Sequence, residues 1–379
     1  AARDVQIATP TGGAWLFNQG VVLWKQKNHE AAIEKFRESL DVNPMYPGAL
    51  QNIGTILIQL GRAEEALTVL ERAVEIDPKV PGAHNALANA YVALGRADEA
   101  ETHYNEALRL RPDSGMAHID LANMLFGLER LEEAEAHYLK ALQLLKDDGL
   151  IHKNLGVLML SLGRPVDAAT HAQAALSRAT SMPDGAVVEL GNLLNQTGQH
   201  AKALSLLERT VEIVPESADA HKYLADALRG VGRVEEALAQ YQEASRLMPK
   251  SSSIHYTIGQ VLESVGRFEE TIDYYEEALR LTPDSAEVHH NLGVVLKQFK
   301  RFEEAEDHER AALRLEPDMS EAHNGLAIAL IHQGKLAEAV THFESALAIR
   351  PDYTNANRNL AKVKVLISER GVPGTQASQ

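Results

Sequence analysis

Residues 81–114 read PGAHNALANAYVALGRADEAETHYNEALRLRPDS, and this stretch decides the fold. Leu87, Ala88 and Tyr91 in its first half, and Ala100, Tyr104 and Ala107 in its second, fall three or four residues apart, the spacing of one helix face. Gly95 separates the halves and Pro112 follows the second; glycine lets a helix end and turn back, and proline prevents it from running on. The proline recurs every 34 residues, at Pro44, Pro78 and Pro112 and again at Pro215, Pro249, Pro283, Pro317 and Pro351. A fixed period of that length means one two-helix unit copied many times, each packing on its neighbours and together offering a long surface in place of a single deep pocket.

With the phased proline at position 32, the units run 13–46, 47–80, 81–114, 115–148, 149–183, 184–217, 218–251, 252–285, 286–319 and 320–353. Helix A carries an apolar position 7 and a small position 8 (Ile53-Gly54, Leu155-Gly156, Leu190-Gly191, Leu292-Gly293), and position 15 is usually glycine. Helix B carries alanine at positions 20 and 27, and often an aromatic ring at position 24 (Phe36, Tyr104, Tyr138, Tyr241, Tyr275, Phe343).

Iterated ten times, these residues closely resemble the tetratricopeptide repeat family over residues 13–353. The resemblance implies an all-α α-solenoid: a right-handed superhelix of about ten helix–turn–helix units, with A helices lining the inner surface, where the family binds extended peptides or partner helices. The expected organisation is an extension over 1–12, the array over 13–353, a C-terminal capping helix over 354–370 and a disordered tail over 371–379. The pattern departs once. Lys146 and Thr180 stand where proline is expected, Pro183 comes late, and one residue is inserted between Pro112 and Pro215. We expect an irregular connection at Ser177–Pro183, with either a local change of superhelix pitch or simply a longer loop.

Composition narrows the function. A formal net charge of −16 argues against a general nucleic-acid or anionic-membrane binder, which needs clustered positive charge. The absence of cysteine excludes disulfides, thiolate nucleophiles and cysteine-ligated zinc. No apolar run reaches the length of a membrane-spanning helix. The chain opens on Ala1 without a leader pattern, which suggests a removed leader or a piece of something longer, and the compartment stays open between cytoplasm and periplasm or lumen. No phosphate-binding glycine loop, HExxH or nucleophile motif is found, so the expectation is a bacterial, non-catalytic protein without cofactor or metal.

Two repeated patterns invite a chemical reading. Paired carboxylates such as Glu64-Glu65, Glu132-Glu133 and Glu303-Glu304 fall in the first turn of helix B, where they complement the positive end of the helix dipole; we read them as structural. Histidine occupies position 4 in seven units (His84, His118, His152, His221, His255, His289, His323) and position 23 in five (His103, His137, His171, His308, His342). Successive position-4 residues lie about 8–10 Å apart, too far to share one ion. Position 4 therefore reads as packing, with the within-unit pairs keeping a metal or pH role open.

From the family, positions 2, 5, 6, 9, 12 and 13 of helix A should face the groove. They are rich in asparagine: Asn18, Asn52, Asn85, Asn89 and Asn123, then Asn154, Asn192, Asn195, Asn291 and Asn324. Spaced amides carry both donor and acceptor and can pair with the backbone of an extended peptide whatever its sequence. The pattern looks like the asparagine ladder of O-linked N-acetylglucosamine transferases, broken at Ala86, Glu189, Tyr223, Thr257 and Gly325. The plainer reading is a solvated polar face. Tyr256 also falls on the groove, and Lys153, Lys222, Arg229 and Lys297 suggest a mildly basic strip suited to an acidic or phosphorylated partner. No three consecutive units complete the family's two-carboxylate clamp. Trp15 and Trp24 mark the first unit as an end contact or a repacked cap. The expected function is a scaffold that binds a protein or peptide along the asparagine-lined groove, with no nucleic acid and no membrane insertion, and with self-association through the terminal repeats left open. The alternative is the substrate-recruiting arm of a larger glycosyltransferase, soluble or membrane-embedded.

Overall fold

A computed structural model describes residues 12–146 and 148–369; the expected extension over 1–12, apart from Gly12, and the tail over 371–379 lie outside the described residues. Among the described residues every regular element is helical. The first ten helices are α1 (Gly12–Lys25), α2 (His29–Val42), α3 (Pro47–Gln59), α4 (Ala63–Ile76), α5 (Pro81–Ala93), α6 (Ala97–Leu110), α7 (Gly115–Gly127), α8 (Leu131–Leu145), α9 (Gly149–Ser161) and α10 (Pro165–Leu176). A single 3-10 turn, Ala179–Ser181, then leads into α11 (Asp184–Gln196). The remainder are α12 (His200–Ile213), α13 (Ala218–Gly230), α14 (Val234–Leu247), α15 (Ser252–Ser264), α16 (Phe268–Leu281), α17 (Ala286–Gln298), α18 (Phe302–Leu315), α19 (Ser320–His332), α20 (Leu336–Ile349) and α21 (Thr354–Glu369). Consecutive helices pack as antiparallel hairpins in an α-solenoid, and the chain divides into two compact units, one ending at Ala186 and the other beginning at Val187.

The hairpin turn has one conformation throughout. Position 15 is left-handed in each glycine unit, with φ from 68° to 83°, and Arg62 N–H donates back to Leu57 C=O at 2.8 Å to satisfy a terminal carbonyl. Lys27, Glu129 and Lys300 occupy the same position and adopt the same left-handed geometry, at φ 59–60°. An L side chain there costs about 1 kcal/mol, which the array tolerates.

Packing within a hairpin turns on positions 8 and 24. A Cβ added to Gly54 would lie 2.4 Å from Leu70, and one added to Gly259 would lie 2.4 Å from Tyr275. Position 8 is thus kept small so that the large position-24 side chain can lie against the A-helix backbone. The alanines of positions 20 and 27 are likewise buried. In the acidic pairs the position-19 glutamate meets the arginine three residues before it, as Glu65 meets Arg62 at 2.6 Å and Glu133 meets Arg130 at 2.7 Å. At the irregular junction between the fourth and fifth hairpins, α8 ends at Lys146 in a left-handed conformation, and the Asp148 carboxylate caps α9 by accepting from Leu150 N–H at 2.7 Å.

Each position-4/position-23 histidine pair lies within one hairpin. The Nδ1 atoms approach to 3.0 Å at His84/His103, 2.8 Å at His118/His137, 2.9 Å at His152/His171, 2.9 Å at His289/His308 and 3.0 Å at His323/His342. In four of the five pairs the position-4 Nε2 faces the carbonyl of the preceding phased proline, as His84 faces Pro78 at 3.0 Å; no phased proline precedes His152. A carbonyl only accepts, so Nε2–H donates, leaving the bare Nδ1 of that ring to accept from Nδ1–H of the second histidine. The pairs therefore stitch the hairpin to the turn before it. At His221 the position-23 partner is an amide in place of a ring, with Nδ1 2.7 Å from Gln240 Oε1.

Burial first, and the partner ring second, hold His103, His137, His171, His308 and His342 below the ordinary histidine range. The unfolded chain therefore takes up more protons than the folded one below about pH 6.5. This stability is complete above that value and is lost as pH falls through the lowered folded-state values. The melting temperature should drop between about pH 7.5 and 5.5, a window above the carboxylate range. A variant with all five rings changed to Gln, as nature has at Gln240, should give a flatter profile. An unchanged slope would show that the pairs do not carry it.

Candidate functional site

The A helices of successive hairpins touch one another. In the first unit α3 packs on α5 and α5 on α7; in the second, α17 packs on α19 and α19 on α21. Their faces bear the asparagines.

What orients these amides comes from helix B. The buried ring of Tyr104 reaches through the hairpin, and its hydroxyl donates to Asn89 Oδ1. Tyr138 does the same to Asn123 Oδ1 at 2.5 Å. In the second unit Tyr241 donates to Asp226 Oδ1 at 2.5 Å and Tyr275 to Glu263 Oε2 at 2.7 Å. Carboxylates can only accept, so the tyrosine is the donor in this arrangement, and each asparagine turns its Nδ2–H2 the other way. Burial pushes the Tyr138 phenol up to about 12 and those of Tyr104, Tyr241 and Tyr275 further, so all remain protonated donors.

The first unit gathers several of the named residues. Asn85 Nδ2 and Asn89 Nδ2 donate to Asp120 Oδ2 at 2.7 and 3.2 Å, and Asn154 Nδ2 donates to Asn123 Oδ1 at 3.3 Å. Asn123 and Asn18 are exposed, Asn52 is half-buried and Lys153 is buried. Trp24 is held by the next hairpin, donating Nε1–H to Gln59 at 3.1 Å, whereas Trp15 is 51% exposed.

The second unit uses its residues differently. Asn195 is buried; its Nδ2 donates to the backbone carbonyl of Tyr223 at 2.9 Å, so this amide ties α11 to α13. Asn192 and Asn195 border a hollow of about 530 Å³ with His200, Asp226 and Arg229. Lys222 Nζ lies 5.4 Å from the Tyr223 ring centroid. Asn291 Nδ2 donates to Tyr256 Oη at 2.6 Å, and Asn359 Nδ2 to Asn324 Oδ1 at 3.3 Å.

The basic residues are largely offset. Arg229 lies 3.7 Å from Asp226. Lys297 Nζ meets Glu309 Oε1 at 2.5 Å, and Glu309 Oε2 accepts from His290 Nδ1 at 2.8 Å. Glu309, fully buried, stands at position 24 in place of the usual aromatic ring. The glycine at position 6 of the next unit follows from this: a Cβ on Gly325 would lie 2.0 Å from Glu309 Oε1.

Sequence reasoning missed Asp120, which interrupts the position-6 row of asparagines, and Glu309, which interrupts the position-24 row of rings. Both were detectable as departures from a row. The tyrosine hydroxyl bonds were not, because the repeat pattern records size and leaves out where a ring's polar end arrives. Among the described residues no group of three or more His, Cys, Asp or Glu is arranged to hold a metal ion, and no helix is long and apolar enough to cross a membrane.

Removing one member of a buried ion pair strands the other. Lys297→Met should therefore lower unfolding stability by about 3 kcal/mol in urea titration. Adding Glu309→Tyr, which restores the ring of the preceding hairpin, should recover most of it. A loss below about 1 kcal/mol would mean the pair is not needed.

No curated protein matches this chain. Among solved structures it is similar to YrrB, described as a TPR protein with an unusual peptide-binding site, at 19% identity over 46% of this chain and 90% of that one, with a TM-score of 0.43. It is similar to MamA protein at 18% identity over 45% and 95%, with a TM-score of 0.42, and to yeast Tom70 at 14% identity over 96% and 97%, with a TM-score of 0.46. One tetratricopeptide repeat family model matches residues 46–113, 186–254 and 250–316, and a second matches 1–49, 85–149 and 310–354. With hairpins of this length, turn and packing, the chain belongs to the tetratricopeptide repeat family.

Proposed function

We propose that the A-helix face of the first unit binds an extended peptide by donating side-chain amide hydrogens to its backbone carbonyls. The family is one of protein-interaction scaffolds, generally without catalysis of their own. The observation that carries the finer reading is the tyrosine–asparagine bond. With Oδ1 of Asn89 and Asn123 occupied by a phenol from behind, Asn123 presents both hydrogens of Nδ2, and Asn89, which gives one to Asp120, presents the other. The tyrosine bond also removes the freedom of the amide to flip, so less side-chain entropy is lost on binding. Recognition of the main chain needs no particular sequence, and an extended chain has its carbonyls available.

Asparagine-to-alanine changes would strand the tyrosine hydroxyls and confuse binding with stability. Asn→Asp avoids this, because Asp226 already accepts from Tyr241 in the same geometry. Asn123→Asp combined with Asn52→Ala should leave the thermal melt nearly unchanged; Asn89 is left in place, because a carboxylate there would face that of Asp120. The same variant should weaken capture of peptides selected on the wild-type chain at least about tenfold, at about 1 kcal/mol for each lost bond. Undiminished capture by the folded variant would count against the groove.

A further inference from the structure

We propose that the first unit reads a basic side chain of its peptide at Asp120. The inference rests on the peptide-binding reading above and adds the chemistry that selects the partner.

A hollow of about 440 Å³ opens on the A-helix face across α3, α5 and α7, walled by Gln51, Thr55, Gln59, Asn85, Asn89 and Asp120. Asp120 and Arg111 are the charged residues of its lining, and the rest are neutral. The carboxylate is half-buried, and Oδ2 takes amide hydrogens from Asn85 and Asn89, while Oδ1 has no hydrogen-bond partner among the described residues. Among the described residues no cation lies within ion-pair distance of it. Arg111 borders the same hollow but forms no ion pair with Asp120. Elsewhere in this chain, arginines and lysines are repeatedly matched to a neighbouring carboxylate, as at Arg130 with Glu101 and Glu133.

A second acceptor, on a residue that lines the hollow, is also unsatisfied. Asn85 Oδ1 is buried and has no hydrogen-bond partner, because Asp120 holds the amide with its nitrogen end toward the carboxylate. An unmet buried acceptor costs free energy that a donor can recover. The two vacancies are both acceptors, and one carries charge. The complementary group is a cation with several N–H donors, which describes the guanidinium of arginine and, with fewer directions, the ammonium of lysine. A metal ion fits poorly, since a hard cation wants six or more oxygen ligands and the hollow offers a single carboxylate. Asn123, with its outward amide, lies on α7 together with Asp120, so one extended chain has its carbonyls at Asn123 and its basic side chain in the hollow.

The test is a positional-scanning library of short, end-blocked peptides panned on the full chain at about 0.15 M salt. The expected result is enrichment of Arg or Lys at one fixed position. On an enriched peptide, Arg→citrulline should weaken binding about tenfold to wild type, the size expected of a charge-assisted hydrogen bond, and should have no further effect on Asp120→Asn. Peptides enriched without a basic position would overturn this inference and leave the backbone-binding groove standing. A citrulline effect of equal size in D120N would also overturn it. Failure to enrich any peptide would overturn both. Should D120N melt early, wild type alone decides: citrulline binding as well as arginine refutes the assignment.

Discussion

The contact between positions 8 and 24 of the hairpin is the constraint on which the rest depends. A small residue on helix A lets a large side chain from helix B lie against its backbone, and the buried rings of Tyr104, Tyr241 and Tyr275 fill that space in different hairpins. The contact joins the two helices, and it also carries a phenol through the hairpin to the opposite face. There the hydroxyl fixes a polar side chain on the A helix. One packing event thus builds the core and sets which end of a surface amide faces outward. The same residue choice sets the packing of the hairpin and the orientation of the amide, so neither can be altered at position 24 without the other.

Where position 24 changes, the face changes with it. Glu309 in place of a ring draws in Lys297 and His290 and requires Gly325 in the following hairpin, so four positions shift character together. Charges that would otherwise face a ligand are spent inside the hairpin. In the first unit the position-24 tyrosines meet asparagines and a carboxylate keeps a free oxygen, which is the ground on which we propose that face as the binding one.

Much of the fold was legible in the sequence because it is written in residues with few alternatives. Gly95 and Pro112 announce a turn whose geometry other residues adopt at a cost, and repetition multiplies a weak signal into a firm one. Even so, Lys27, Glu129 and Lys300 show the left-handed turn surviving without glycine, since the packed helices on both sides impose it. The site was less legible. A position on the groove face says where a residue points and says nothing of what it already holds. Asn195 looked like a ladder amide and is committed to a backbone carbonyl; Lys297 looked like a free cation and is committed to Glu309. Asp120 acquires its meaning only beside Asn85 and Asn89, which sit on a different hairpin.

The claim most open to direct measurement is that asparagine side-chain amides donate to a bound peptide. Solution NMR of the full chain, with the side-chain NH2 groups labelled and assigned, reads those hydrogens themselves. On adding a selected peptide, the Nδ2–H2 signals of Asn123 and Asn89 should move downfield and exchange more slowly with water, as expected for newly formed hydrogen bonds. Saturating binding that leaves both signals in place while residues on the B helices shift would contradict the account.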